Sequence, residues 1–185
     1  MRRLTVTVFS CWALAACSRG EPSASKPGAT TSEATPALLA VGSPAPALVV
    51  KAHRGESLNL AKLGKPAVVY FYPKDDTPGC TLEAKEIRDL WKEIEGTGAI
   101  VIGVSSDGEA SHQAFAEKYE LPFFLVPDEN HALAKAFGVP IKNGKAARVS
   151  FVLDASGRVT RVFPKVMPKG HGAELLAALS QGTAR

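Results

Sequence analysis

One stretch decides the fold, Tyr72-Pro73-Lys74-Asp75-Asp76-Thr77-Pro78-Gly79-Cys80-Thr81, and it separates two segments of different character. Residues 67–71 before it are a continuous apolar run of strand length, and the residues from Thr81 to about Glu95 carry apolar side chains at helical spacing. The pattern predicts a buried strand, a tight polar loop and a helix that begins at a lone cysteine. A thiol there meets the positive end of the helix dipole and unpaired backbone N–H groups, which favour the thiolate. We therefore predict that Cys80 is a nucleophile.

The first 16 residues have the layout of a secretory signal. Met1-Arg2-Arg3 is a short positive head, and residues 4–16 are apolar without an acidic side chain but too few to span a membrane comfortably. The segment ends in Leu14-Ala15-Ala16-Cys17, which resembles the lipobox of bacterial lipoproteins, where the cysteine is lipidated and becomes the new N-terminus. Residues 1–16 are thus predicted to be a signal peptide and Cys17 a lipidation site. The alternative is a plain signal peptide, or an uncleaved anchor, with an incidental cysteine.

Residues 17–37 are predicted to form a disordered tether behind the lipid. They are rich in Ser, Thr, Ala, Pro, Gly and Glu and almost free of large apolar side chains. A coil of this size reaches roughly 25–30 Å, enough to hold a small domain clear of the lipid headgroups. We expect a protein of the cell envelope, anchored by lipid on the periplasmic face of a bacterial membrane. Ser18 after the cysteine resembles sorting to the outer membrane.

Charge and cysteine content narrow the choice of partners. The chain has 22 basic and 18 acidic residues, and loss of Arg2 and Arg3 with the leader reduces the basic count to 20. Because the sequence contains no run or patch of Lys and Arg, this weak excess predicts no nucleic-acid partner and no binding to an anionic membrane surface. Cys11 leaves with the leader and Cys17 carries lipid, so Cys80 alone remains in the folded part. An odd cysteine in an exported protein suggests a reactive or intermolecular thiol.

Residues 38–185 are predicted to form a single domain in which strands alternate with helices. The expected strands are 47–51, 57–60, 67–71, 99–104, 122–126, 148–154 and 158–163, and the expected helices are 81–95, 109–120, 131–137 and 172–179. In the first helix the predicted outward side chains are those of Glu83, Lys85, Glu86 and Arg88. The order of elements indicates an α/β fold with a mixed central β-sheet flanked by helices. A thioredoxin-like sheet fits this order.

The polar loop also carries a family resemblance. Pro73, Thr77 and Cys80 stand in Pro-x-x-x-Thr-x-x-Cys spacing, which resembles the peroxidatic motif of peroxiredoxins. The run 70–81 is similar to the bacterioferritin-comigratory, or Q-type, branch, and the run 148–154 resembles the segment that bears the family's active-site arginine. The resemblance extends from about residue 40 to about residue 180. It implies a thiol-dependent peroxidase without a cofactor, which reduces hydrogen peroxide or organic hydroperoxides and serves antioxidant defence.

The same resemblance assigns roles to four residues. Cys80 would be the peroxidatic nucleophile that becomes a sulfenic acid. A helix N-terminus contributes at most about 2 kcal/mol, whereas lowering a thiol pKa from about 8.5 to about 6 takes about 3.4 kcal/mol, so a cation is needed and Arg148 is the candidate. Since a lower pKa also weakens the nucleophile, the larger catalytic contribution must come from binding the peroxide and stabilising charge as its O–O bond breaks. Thr77 and Arg148 would supply those hydrogen bonds, and Pro73 would shield the thiolate from water.

One departure from the family pattern predicts how the cycle ends. Many Q-type members carry a resolving cysteine five residues after the peroxidatic one, but Lys85 stands at that position here. We therefore predict a one-cysteine cycle in which an external thiol or a thioredoxin-like protein reduces the sulfenic acid. A monomer or weak dimer is expected, as is common in Q-type relatives. The alternative function is a peroxide-sensing thiol lipoprotein that does not cycle.

Several residues have a plainer interpretation. Thr77 could act only as a helix cap, Pro73 only as a strand terminator, and Arg148 only as a surface partner of Asp75 or Asp76. His53, His112, His131 and His171 lack metal-ligand spacing and are predicted to be surface or capping residues. The pair Asp75-Asp76 is interpreted as a loop-shaping feature without an acid–base partner. No metal site is predicted.

Overall fold

The apolar run 67–71 is the central strand of a five-stranded sheet. The structure, a computed structural model, describes residues 37–182. The predicted signal peptide 1–16, Cys17 and all but the last residue of the predicted tether lie outside the described residues. The strands are β1 (Val49–Lys51), β2 (Ser57–Asn59), β3 (Ala67–Phe71), β4 (Ile100–Ser105), β5 (Phe124–Pro127), β6 (Ile141–Lys142), β7 (Lys145–Ala146), β8 (Val149–Leu153) and β9 (Val159–Phe163). The helices are α1 (Pro78–Asp89), α2 (Trp91–Gly96), α3 (Glu109–Tyr119), α4 (Ala132–Ala136) and α5 (His171–Gly182).

The sheet is mixed, with strand order β5-β4-β3-β8-β9. Strand β3 pairs parallel with β4 and antiparallel with β8, so that Phe71 lies opposite Val104 on one side and Val149 on the other. Strand β5 is parallel to β4, and β9 is antiparallel to β8. The carboxyl ends of β3, β4, β5 and β9 and the amino end of β8 therefore share one edge of the sheet. We call it the active edge, because the loop that carries Cys80 leaves β3 there.

Both faces of the sheet are covered, which is why every residue of β3 is buried. Alternate side chains of a strand point to opposite faces, and Phe71 packs on one side against Phe137 of the α4 end and Phe151 of β8. Tyr70 and its neighbours pack on the other side against α1, α2, α3 and α5. This arrangement confirms the predicted thioredoxin-like α/β fold of mixed sheet and flanking helices.

The helix after Cys80 differs from the prediction at both ends. It begins at Pro78, since the first helical position needs no backbone N–H and tolerates proline. The expected continuous helix 81–95 is interrupted at Leu90, whose φ of −99° and ψ of 13° end α1 and start α2. Within residues 37–182, every helix falls short of the length and hydrophobicity that a membrane span requires.

Of two hairpins near Arg148, one was predicted from its turn sequence and the other was missed. The predicted hairpin between β8 and β9 is present, and Gly157 at its turn has a φ of +79°. A second hairpin, β6–β7, was not predicted although Asn143-Gly144 forms its turn with φ of +52° and +68°. Asn-Gly is the sequence typical of such two-residue turns, because both positions require positive φ. This hairpin leads the chain into Arg148.

Candidate active site

Cys80 lies in the first turn of α1 with only 2% of its surface exposed. Thr77 is the N-cap residue in extended conformation, but its side chain makes no capping hydrogen bond. Its single hydroxyl hydrogen can be donated to Cys80 Sγ at 2.9 Å or to the carbonyl oxygen of Lys74 at 3.1 Å. Pro73 is half-buried in the same loop, where it presents no backbone N–H. The loop thus places the three motif residues together, and Thr77 contacts the sulfur rather than the helix end.

Arg148 reaches this sulfur from the start of β8, the strand next to β3. It directly precedes β8, and its Nη2 lies 3.1 Å from Cys80 Sγ. Its Nη1 donates to Glu83 Oε2 at 2.5 Å. A Cβ placed on Gly79 would lie 2.9 Å from Nη2, so a larger residue there would force the guanidinium to shift. Arg148 therefore pairs with Glu83 and not with Asp75 or Asp76, which was the alternative prediction.

Glu83 was predicted to face outward and is instead fully buried. It follows Cys80 by three residues, and such residues lie on the same face of a helix, so the spacing alone could have placed it beside the sulfur. Burial raises the pKa of the Glu83 carboxyl to about 7, although the Arg148 guanidinium acts to lower it. Its Oε1 has no hydrogen-bond partner among the described residues. Glu83 is the main site residue that the sequence interpretation missed.

His171 extends this buried cluster. The ring is fully buried at the start of α5, and its Nε2 lies 3.9 Å from Glu83 Oε1, beyond hydrogen-bond distance. Its Nδ1 lies 3.1 Å from the carboxylate of Glu174, so in the neutral ring Nδ1 carries the hydrogen and Nε2 accepts from Ser150 Oγ at 2.9 Å. Burial lowers the pKa of His171, partly offset by Glu174. The prediction of a surface or capping role for His171 is therefore wrong.

A second buried polar cluster anchors the loop from the side of α3. The Asp75 carboxylate accepts from Tyr72 Oη at 2.7 Å, Ser111 Oγ at 2.8 Å and His112 Nδ1 at 2.9 Å. Burial alone would raise the pKa of Asp75, but these three donors hold it below its usual value. Asp75 therefore has the partner that the sequence interpretation denied it, and His112, fully buried, is not a surface residue. His112 Nε2 has no partner among the described residues.

The neighbouring Asp76 does behave as a loop-shaping residue at the surface. Its carboxylate accepts from Lys118 Nζ at 2.6 Å and from Tyr119 Oη at 2.5 Å. Lys85, five residues after Cys80, lies 4.7 Å from the centre of the Tyr119 ring. These contacts tie the loop and α1 to α3.

Of the two remaining histidines, one is buried and one lies at a helix end. His53 is buried and its Nδ1 accepts from the backbone N–H of Leu125 at 3.0 Å, so its predicted surface position is wrong. His131 occupies the N-cap position of α4, but its side chain makes no capping hydrogen bond. No cluster of three or more metal-binding side chains occurs within residues 37–182.

Comparison with known proteins places these features in a family. The model of the AhpC/TSA family matches residues 41–162. The chain is 42% identical over 149 residues to peroxiredoxin Bcp of Bacillus subtilis, covering 76% of this chain and 95% of that protein. It is 42% identical over 147 residues to the chloroplastic peroxiredoxin Q of Suaeda salsa, covering 77% and 69%. It also resembles a solved structure of the bacterioferritin comigratory protein of Xanthomonas campestris, with a TM-score of 0.67 and 36% identity over 74% of this chain and 92% of that one.

Proposed function

The chain belongs to the AhpC/TSA family, as a thiol-dependent peroxidase of the peroxiredoxin Q/Bcp type, and we propose that Cys80 is its nucleophile in a cycle completed by an external thiol. One observation supports the assignment most directly. Cys80 Sγ is contacted by the Thr77 hydroxyl at 2.9 Å and by the Arg148 guanidinium at 3.1 Å. A buried sulfur with two such donors is arranged to be an anion and to hold an oxygen ligand beside it.

In the oxidative step, the Cys80 thiolate attacks the terminal oxygen of a hydroperoxide. The S–O bond forms as the O–O bond breaks, and the leaving oxygen takes the electron pair and a proton from solvent to become water or an alcohol. Thr77 and Arg148 can turn their donors from the sulfur to the two peroxide oxygens, whose negative charge grows in the transition state. Pro73 leaves no competing backbone N–H in the loop. Alkyl peroxide reduction is described for the Xanthomonas campestris relative and supports organic hydroperoxides as substrates.

In the reductive step, the sulfenic acid on Cys80 must meet a thiol from another molecule. Cys80 is the one cysteine among residues 37–182, and Lys85 occupies the place of a resolving cysteine. The sequence holds cysteines elsewhere only at positions 11 and 17, in the segment predicted to be removed or lipidated. The reductant is therefore an external thiol or a thioredoxin-like protein.

The proposal is tested by steady-state consumption of hydrogen peroxide and cumene hydroperoxide with dithiothreitol as the thiol. Wild-type protein should turn over repeatedly, and Cys80→Ser should lose consumption of both peroxides. Mass spectrometry after one equivalent of peroxide should show a sulfenic acid at Cys80 without an internal disulfide. Consumption of a single equivalent without cycling would favour the peroxide sensor, and an internal disulfide would refute the one-cysteine cycle.

We further propose that the protein is exported and anchored in the cell envelope through lipid on Cys17, and that its domain is a monomer or weak dimer. The signal-like residues 1–16 and the small residues before Cys17 support this placement. Wild-type protein should sediment with membranes and incorporate labelled fatty acid, whereas Cys17→Ala should do neither. Equal membrane association of both proteins would contradict the lipid anchor. Analytical ultracentrifugation of the detergent-solubilised protein tests the oligomeric state.

A further inference from the structure

Five exposed lysines lie in segments that join strands at the active edge of the sheet, although the sequence shows no basic run. Lys165 and Lys169 lie in the segment between β9 and α5. Lys142 and Lys145 lie in the β6–β7 hairpin before β8, and Lys74 lies in the loop after β3. All five side chains are exposed, and none makes a hydrogen bond or ion pair within the described part of the chain. We call this group the basic edge.

The carboxylates near Cys80 form no ion pair with the lysines of the basic edge. Glu83 is paired with Arg148, and Asp76 with Lys118. Glu86 accepts a hydrogen bond from the backbone of Gly170 at 2.6 Å. The exposed Glu129 follows β5 at the opposite side of the sheet from β8 and β9. The five lysines thus have no ion-pair partner within residues 37–182.

Two exposed apolar side chains lie in segments next to the site. Leu82, two residues after Cys80, is 42% exposed, and Met167, between Lys165 and Lys169, is 68% exposed. The Met167 segment approaches the site closely, since a Cβ on Gly79 would lie 3.5 Å from Pro168 Cγ. An exposed apolar centre with a charged rim is the composition of a protein-docking surface.

We propose that the basic edge, together with the exposed Leu82 and Met167, docks the reductant, and that this reductant is a protein with an acidic surface around its thiol. The inference rests on the proposed function, since a one-cysteine cycle needs a second thiol at Cys80. The small exposure of Cys80 makes alignment of the attacking thiol decisive, and a docked protein supplies it. Opposite charges on the two surfaces speed their encounter.

The exchange balances with a dithiol partner. A partner thiolate attacks Sγ of the Cys80 sulfenic acid, a disulfide bond forms between the proteins, and the hydroxyl leaves as water after taking a proton. The partner's second thiol then attacks the partner's own sulfur in this mixed disulfide. Cys80 is released as a thiolate, and the partner leaves with an internal disulfide.

The test uses the full chain and two reductants, a small acidic thioredoxin with its NADPH-dependent reductase and the uncharged dithiol dithiothreitol. The double variant Lys165→Glu/Lys169→Glu should lower kcat/KM for thioredoxin by roughly tenfold at low salt. High salt should lower the wild-type value and shrink this difference. Met167→Gln should lower kcat/KM for thioredoxin by about threefold. Dithiothreitol-supported turnover and the rate of the first peroxide reaction should change by less than about twofold, since the variants leave the site of Cys80 intact.

Lys62→Glu/Lys65→Glu is the matched control, because these two exposed lysines precede β3 at the opposite edge of the sheet. It changes net charge equally and should leave kcat/KM for thioredoxin within about twofold of wild type. An equal loss in both double variants, or none in either, would overturn the docking site while normal dithiothreitol turnover still supported the peroxidase. Loss of binding to phosphatidylglycerol vesicles by Lys165→Glu/Lys169→Glu, with thioredoxin kinetics unchanged, would show a lipid-binding surface instead. Failure of peroxide consumption with both reductants would refute the proposed function itself.

Discussion

Two buried carboxylates belong to the loop and helix that carry Cys80, and they differ in the number of hydrogen bonds that they accept. Asp75, on the α3 side, accepts three side-chain hydrogen bonds that use both of its oxygens. Glu83, on the α5 side, has Arg148 on one oxygen and no partner among the described residues on the other. The pKa of Asp75 is held below its usual value, while burial raises that of Glu83 to about 7.

The difference shows that burial alone does not set the charge of a carboxyl; the number of donors does. Asp75 is a fixed anion that anchors the loop bearing Pro73 and Thr77. The pKa of about 7 for Glu83 means that its carboxyl exchanges a proton near neutral pH. Arg148, which contacts both Glu83 and the Cys80 sulfur, therefore has a charged or a neutral carboxyl beside it depending on pH.

The largest effect is expected from removing the cation that Glu83 and Cys80 share. Arg148→Met should slow the reaction of Cys80 with hydrogen peroxide by roughly 100- to 1000-fold, because the donor to the developing charge is lost. The second-order rate constant from stopped-flow measurements checks this. Arg148→Lys should recover only part of the rate, since one ammonium cannot reach the sulfur and Glu83 as a planar guanidinium does. A Met variant within tenfold of wild type would show that Arg148 is only a structural partner of Glu83.

Asp75→Asn should cost roughly 3–5 kcal/mol of the free energy of unfolding, because it breaks a buried charged network and leaves donors unmatched. Urea denaturation at pH 7 measures the loss. The low pKa of Asp75 in the folded state means that its contribution is complete above about pH 3.8 and is lost as pH falls below that value, so wild type and variant should converge in acid. Asp76→Asn on the exposed neighbour is the control and should leave stability nearly unchanged. Equal losses in both variants would remove the distinction between anchor and surface carboxylate.

Glu83 should impose the opposite pH dependence. Its raised pKa means that the folded protein keeps a proton that the unfolded chain loses between pH 4.5 and about 7, so stability falls as pH rises through this window. The fall attributable to Glu83 is at most about 3 kcal/mol. Glu83→Gln should abolish that part of the slope in urea denaturation measured from pH 4.5 to 7.5. Glu86→Gln, on the same helix, should retain it, and an unchanged slope in Glu83→Gln would contradict a titrating Glu83.

The sequence predicted what depends on neighbours in the chain and missed what depends on burial. Thr77 and Cys80 are three residues apart, so loop and helix geometry places them together. Arg148, far along the chain, was found only through its family resemblance. Glu83, His112 and His171 were predicted outside because polar side chains usually face water. Only the folded chain shows the partners that make their burial tolerable, and only it gathers the lysines of the basic edge.

The smallest expected effect tests whether Asp75 stays stabilised when one of its three hydrogen-bond donors is removed. Ser111→Ala removes one of three side-chain donors to Asp75 and should cost about 1 kcal/mol of stability at pH 7, because Tyr72 and His112 remain on the two oxygens. The pKa of Asp75 should rise, so the acid loss of stability should begin at a higher pH than in wild type. Urea denaturation between pH 2.5 and 7 measures both. A loss as large as that of Asp75→Asn would show that the three donors act as one unit, so that Asp75 has no donor to spare.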